Sequence, residues 1–319
     1  MPTLLLNKKD VQNLIAMDEV ILVVEKAFKE LTEGKGAMPS KVYLTLKDGD
    51  FRAMPAALPG AAGMKWVNVH TGNPSKGLPT VMAVLIYNDP ATGYPLAIMD
   101  ATESTAFRTA ATSAIASKYL ARKNSTTLGI VGAGRQASTH IMAHRLIFDF
   151  KEIRVFDISS EAVARLIKGF PESPIKERSL EETVKSDIVC TLTPAHQPVV
   201  KSRWIMPGTH INAVGADAQG KEELEPSILN DAMVVVDDLR QASHGGEINV
   251  PLSKGLFKKQ QIYATLGEII TGIKTGRTDN KIITVFDSTG LAIEDIAVAR
   301  LLYEKARNNG TGLTVNLVD

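Results

Sequence analysis

Three cations interrupt apolar, strand-like runs early in the sequence: Lys41 opens KVYLTL, Arg52 lies in FRAMPA and Lys65 in GMKWVNVH. A charge among apolar residues is costly to bury without a partner, so each either faces solvent or serves a site. Lys65 shares a strand face with Val67 and Val69, which favours the second reading there. A desolvated lysine loses basicity and can exchange a proton near neutral pH. Arg108 sits among small residues in ESTAFRTAATSA, and its planar fork suits a carboxylate, although capping a neighbouring helix is the plainer role.

A second kind of chemistry is written in TLGIVGAGRQAS, residues 127–138. Gly132-x-Gly134-x-x-Ala137 closes an apolar strand and opens a helix. Glycines there let the backbone turn tightly and approach a pyrophosphate, which rests on the helix N-terminal amides. Ala137 is small enough for the third position. Asp157 follows Gly134 by 23 residues, at the end of the next strand IRVFD. A carboxylate there accepts hydrogen bonds from ribose hydroxyls and repels a 2′-phosphate, so the expected cofactor is NAD rather than NADP. Arg135-Gln136 stand where a triphosphatase loop needs Lys and Ser/Thr, which excludes that alternative.

Further acids gather at strand ends, where open α/β sheets bind ligands: Asp217 in AVGAD, Asp237 and Asp238 in VVVDD, and Asp287 in VFDSTG. His140 and His144 stand at i,i+4, but without the glutamate and third ligand a metal site requires, so no metal is expected. SHGGEIN, residues 243–249, has glycines that permit either a lid or a substrate loop.

The elements that must position these residues fall into two grammars. Residues 18–34 read as a helix, and then the period becomes two. The runs 41–46, 51–56, 63–70, 80–88 and 94–100 are short strands separated by turn chemistry. With no helices between them they form a mostly antiparallel sheet. A helix is expected over 104–124. From residue 127 strands and helices alternate, with strands at 153–157, 188–194, 210–217, 233–238 and 282–288, the pattern of a parallel sheet covered on both faces. A helix over 293–308 and a last strand in TGLTVNLV follow, the strand suiting the antiparallel sheet better.

A chain of 319 residues suggests two domains. Lys+Arg 36 against Asp+Glu 35 leaves a net charge of +1, so no basic field calls for nucleic acid or membrane phosphates. The single cysteine, Cys190, lies in the apolar run DIVCTLTP and reads as a buried thiol in a reducing compartment. The N-terminal segment lacks the basic, apolar and small-residue order of a leader, and no window approaches a membrane span. A water-soluble, cytoplasmic protein is expected.

With these motifs assembled, the chain resembles the ornithine cyclodeaminase/mu-crystallin family, and within it the archaeal-type alanine dehydrogenases. The likeness runs through RAMPA, GMKWVNVHTGNPSKGLPTVMA, GYPLAIMDAT, RTAATSAIASKYLARKN, GIVGAGRQA, HINAVGAD with GKEEL, VVVDDLRQASHGGEIN and VFDSTGLAIEDIAVA. The resemblance implies a Rossmann-type, doubly wound parallel sheet inserted into an α+β domain. Residues 1–114, completed by 296–319, would bind substrate and dimerise, and 115–295 would bind NAD. It implies Lys65 as acid/base and Asp217 facing the substrate amine. Lys41, Arg52 and Arg108 would lie toward substrate. Arg108 would also approach the cofactor, with Gly132, Gly134, Arg135 and Gln136 on the pyrophosphate, Asp157 on the ribose and Ser288 near the nicotinamide. A homodimer is implied as well.

Two reactions of that family share an opening step, oxidation of an amino acid at Cα. Cyclodeaminase relatives carry an acid on the strand that reads DFRAMP here, and that acid helps to hold ornithine's second amine; this chain has Arg52 instead. A cation facing a δ-ammonium at ~4 Å and an effective dielectric of ~20 costs about 4 kcal/mol. The expectation is therefore reversible oxidative deamination of L-alanine. Ornithine cyclisation, reduction of a cyclic imine, and NAD(P)-dependent ligand binding without turnover are the alternatives.

Overall fold

The computed structural model describes residues 2–318. In chain order the elements begin with β1 (Thr3–Leu6), α1 (Lys8–Leu14), α2 (Met17–Thr32), β2 (Val42–Leu46), β3 (Gly49–Leu58), β4 (Ala61–Val69), β5 (Val81–Asn88), β6 (Pro95–Asp100) and α3 (Thr102–Leu120). They continue with β7 (Thr127–Val131), α4 (Arg135–Arg145), β8 (Glu152–Phe156), α5 (Ser160–Lys168), β9 (Ile175–Glu177), α6 (Leu180–Val184), β10 (Ile188–Thr191) and β11 (His210–Ala213). Next come α7 (Pro226–Asp231), β12 (Ala232–Val236), α8 (Leu239–Gly245), α9 (Asn249–Ser253), β13 (Ile262–Thr265) and α10 (Leu266–Ile270). The chain closes with β14 (Ile283–Asp287), α11 (Ala292–Asn309) and β15 (Leu313–Val315).

Two compact units result. One gathers the residues up to Arg108 with those from Leu291 onward; the other is Thr109–Gly290. Among the described residues no helix is long and apolar enough to cross a membrane.

The first unit is built on a seven-stranded sheet in the order β15-β1-β6-β5-β4-β3-β2. Every neighbouring pair is antiparallel except β1 with β6. Period-two patterning decides which side is covered: along β3, Arg52, Met54, Ala56 and Leu58 are buried while their neighbours are less so. Because Arg52 pairs with Val67 and Met54 with Lys65 across β3 and β4, Arg52 and Lys65 emerge on the same face. α11 packs against β3 and β4 and against α2, whose Val20, Val24, Ala27 and Phe28 form its buried stripe. On the opposite face Phe51 stacks on Trp66. The strand β1 carries no alternation to announce it, since TLLL is nearly all buried between β6 and β15.

The second unit holds an eight-stranded, all-parallel sheet in the order β13-β12-β14-β11-β10-β7-β8-β9. Its central strands are buried on both sides, as helices on two faces require. Ile188 and Cys190 of β10 feed one core with Leu128, Ile130, Ile141 and Val155. Val189, between them, feeds the other with Ile211, Val234 and Val285. From β7 the chain winds outward through β8 and β9, then returns to the other side of β7 with β10. That reversal opens a crevice beyond the carboxyl ends of β7 and β10.

SHGGEIN is a short turn between two helices rather than an extended loop. It forms the end of α8 and the start of α9, and its centre is anchored from below by Asp287, which accepts the N–H groups of Glu247 (2.9 Å) and Ile248 (3.1 Å).

Candidate functional site

In the first unit Lys65 is 1% exposed, the largest charged side chain so completely enclosed among the described residues. Its Nζ lies 2.7 Å from both carboxylate oxygens of Asp295 and donates to Thr105 Oγ1 at 3.4 Å. Thr105 can accept because its own hydroxyl donates to the Ala101 carbonyl. The Arg108 guanidinium closes the cluster, with Nε donating to Asp295 Oδ1 at 3.1 Å and Nη1 to Glu294 Oε2 at 2.9 Å. Burial, followed by the positive charge of Arg108, brings Lys65 down to about 7, against the pull of Asp295 in the other direction; Lys41 adds to the lowering. Lys65 is therefore an amine able to take up and release a proton near neutrality.

Asp295 and Glu294 had no place among the residues singled out from the sequence. They stand in the first turn of α11, where acids are commonplace. The signal that marked Lys65 was present here too, since both acids interrupt the apolar run LAIEDIAVA and both are buried.

Arg52 is buried, stacks over the Tyr43 ring with Cζ 5.4 Å from its centroid, and donates from Nε to Asp50 Oδ1 at 2.8 Å and from Nη2 to Asp50 Oδ2 at 3.3 Å. The sequence reading treated Arg52 as a bare cation; Asp50 offsets part of that charge. Lys41 precedes β2 and is half-buried.

In the second unit the glycine loop occupies the crevice at the sheet's reversal. Gly132 has φ +104°, a conformation L side chains avoid, and a Cβ there would meet the Leu192 carbonyl oxygen at 3.1 Å. Its N–H donates to the Phe156 carbonyl at 2.8 Å, tying the loop to β8. Gly134 begins α4, which no side chain caps, and a Cβ at Gly134 would meet nothing within 4 Å. Arg135 is exposed at this end of the helix. The buried Gln136 Oε1 has no hydrogen-bond partner. Asp157, just past β8, accepts the Ala133 N–H at 2.6 Å and the Ser159 N–H at 2.9 Å, and beside it Ile158 is 98% exposed.

The remaining expected residues follow the neighbouring strands β11 and β14. Asp217 is half-buried and paired with Lys221 Nζ at 2.6 Å. Ser288 donates its N–H to Ala213 at 2.9 Å, while its buried Oγ makes no hydrogen bond. An uncapped helix start, open space at Gly134, and orphaned polar atoms on Gln136 and Ser288 fit a dinucleotide laid across these strand ends.

The other strand-end acids accept backbone N–H groups. Asp237 is buried and accepts the N–H groups of Thr289 (2.5 Å) and Gly290 (2.8 Å). Asp238 caps α8 through the N–H groups of Arg240 and Gln241. Asp287 holds the α8–α9 turn, and burial with Asp237 nearby raises its carboxyl to about 8. Glu223 and Glu247 extend this backbone fastening. Glu247 accepts from the N–H groups of Glu223 and Leu224, and Glu223 accepts from those of Thr193 and Gly215. His140 and His144 are buried and bonded to Ser113 and Ser117. Among the described residues no group of three or more His, Cys, Asp or Glu is arranged to hold a metal ion.

Fold and site together define a two-unit α/β protein with a Rossmann-type dinucleotide crevice and a separately built cluster around a buried lysine. The chain belongs to the ornithine cyclodeaminase/mu-crystallin family, whose model matches residues 1–310. It is 51% identical over 314 residues, 98% of both chains, to an alanine dehydrogenase of Archaeoglobus fulgidus. Its structure superposes on an archaeal alanine dehydrogenase dimer with bound NAD at a TM-score of 0.98, with 49% identity and 100% of both chains covered. It superposes on the Δ1-pyrroline-2-carboxylate reductase of Thermococcus litoralis, in complex with NADH and L-proline, at 0.95, with 40% identity over 98% of this chain and 100% of that one.

Proposed function

We propose that this protein is an NAD-dependent alanine dehydrogenase that converts L-alanine and water to pyruvate and ammonia, reversibly. The observation that carries the reading is the buried Lys65 amine, brought to about 7, in a chain alike over its whole length to an alanine dehydrogenase. When bound, NAD would accept the hydrogen of Cα, with its electron pair, from alanine in its neutral-amine form, which leaves the substrate as an iminium. The neutral Lys65 takes a proton from the water that adds to the iminium carbon and returns it to the nitrogen; the new hydroxyl then gives up its proton as the C–N bond breaks, which forms the pyruvate carbonyl and releases ammonia. Asp217 handles the ammonium protons. Arg52 and Arg108, with Lys41, attract the substrate carboxylate.

The dinucleotide rests in the second unit. Gly132, Gly134, Arg135 and Gln136 take the pyrophosphate, Asp157 the adenosine ribose, and Ser288 Oγ lies toward the nicotinamide. The exposed Ile158 next to Asp157 offers the adenine an apolar face. The protein works as a homodimer in the cytoplasm. Support for the dimer comes from the exposed apolar side chains Val42, Leu44 and Leu46 of β2, Trp66 of β4 and Val84 of β5, which a second copy would cover.

A second reading, reduction of a cyclic imine such as pyrroline-2-carboxylate, is favoured by the likeness to the Thermococcus litoralis reductase. Purified protein with NAD and alanine, followed at the NADH absorbance, tests the first. Rising NADH supports it. Consumption of NADH with pyrroline-2-carboxylate, with no turnover of alanine or of pyruvate plus ammonium, would replace it by the second. Ammonia from ornithine without net NADH would mean cyclodeaminase activity and count against the reading of Arg52.

A further inference from the structure

We propose that Asp295 is the positioning residue of the reaction, a shared counter-ion that aims Lys65 Nζ, holds it beside Arg108 and keeps its amine basic enough to accept the proton. This rests on the reading of Lys65 as the acid–base group.

The argument starts from charge. Two cations and two carboxylates are buried together in the first unit, and of the two carboxylates it is Asp295 that touches both cations. Two positive charges side by side away from water repel one another, so Lys65 beside Arg108 alone would be driven to the neutral amine at any physiological pH. It would then be a weak base, poorly matched to proton transfer near neutrality. A carboxylate at 2.7 Å from Nζ opposes both burial and Arg108. Glu294, its neighbour, does not reach Lys65. It takes Nη1 of Arg108 and the Leu291 N–H that starts α11.

The geometry adds orientation. Lys65 arrives on β4, Arg108 near the end of the first unit's share of α3, and Asp295 at the start of α11, where the chain returns to this unit. Because Asp295 sits on a helix packed against β3 and β4, its carboxylate has little freedom, and its Oδ1, which accepts from both Lys65 Nζ and Arg108 Nε, fixes the direction of a side chain that otherwise has four rotatable bonds. Glu294 fastens the same turn from below. A carboxylate that touched Lys65 alone could be a simple salt bridge; one divided between the two cations sets their spacing as well.

The test uses the full-length dimer with NAD and alanine. Because neutral Lys65 is the active base, kcat/KM for alanine oxidation rises with pH through its titration. In Asp295→Asn the favourable charge is gone, so that limb should move to lower pH by ~1–3 units, with kcat reduced and NAD affinity unchanged. A folded Asp295→Asn that loses activity with the limb in place would overturn the proposal, since that is the behaviour of a merely structural residue. Asp295→Glu serves if the first variant does not fold. It keeps the charge but displaces the carboxylate, and should lower kcat more than it alters KM; wild-type kcat there would also overturn the proposal. Lys65→Ala separates the two readings. If it turns over with the wild-type limb, the limb belongs to another group and both readings fall; if it is inactive, only the Asp295 variants decide this one.

Discussion

Lys65 and Asp295 stand 230 residues apart in the chain and 2.7 Å apart in the fold. A β-strand from near the start and a helix from near the end thus share one buried ion pair. The pair makes Lys65 tolerable in an apolar interior, and the balance between burial, Arg108 and Asp295 leaves its amine near 7 rather than at the ordinary lysine value.

Lys65→Ala should remove turnover while leaving the dinucleotide site intact. Loss of a positioned base lowers rates by ~10²–10⁴-fold. Steady-state kinetics against NAD titration by fluorescence separates the two quantities. Weakened NAD binding would mean that the lysine is structural.

Asp157→Asn should relax cofactor choice. In the proposed placement the carboxylate would repel a 2′-phosphate, and it accepts from Ala133, so its loss would remove the repulsion and weaken the loop. Losing a charged hydrogen bond to the ribose costs about 1.5–3 kcal/mol, roughly ten- to a hundredfold in NAD affinity. The ratio of kcat/KM for NADP to that for NAD should rise.

Gly132→Ala should damage both fold and cofactor binding. At φ +104° a Cβ is strained, at a cost of about 1–3 kcal/mol, and it would also press on the Leu192 carbonyl. Denaturant unfolding and NAD titration on the same sample measure the two effects.

Arg52→Gln should lower kcat/KM for alanine and raise the preference for a diamino acid such as ornithine relative to alanine. The change should be smaller than the ~4 kcal/mol of a bare cation at close range, because Asp50 already offsets part of the charge. Competition between the two substrates in one assay reads the ratio directly.

Acid should destabilise the second unit through its buried histidines. Burial holds His140 and His210 at about 3 and His144 at about 4. Between these values and the unfolded ~6.5 these histidines bind more protons in the unfolded chain than in the native one, so their contribution to stability falls as pH drops, opposed by Asp287, whose raised carboxyl takes its proton first in the folded state. For His144 the loss approaches about 3 kcal/mol, at 1.36 kcal/mol per unit. Denaturant unfolding from pH 7 to 4.5 should show the slope, and His144→Gln should flatten it. An unchanged slope would assign the pH dependence to other groups.

By itself the sequence determined what lies within a dozen neighbouring residues. Period-two alternation announced β3 to β6, and the strand–glycine–helix order announced the β7–α4 crevice, because turn geometry and side-chain direction are local properties. Val67 and Val69, on the same strand face as Lys65, made its burial legible for the same reason. Where neighbours carry no alternation, as in the wholly covered TLLL of β1, the pattern falls silent. The tertiary structure alone decided the partners. Nothing near Asp287 or Asp237 tells that they clasp backbone amides, and nothing near Lys65 names Asp295. A buried charge is satisfied by whichever groups the closed fold brings within about 3 Å, and that choice is made by chain segments far removed in sequence.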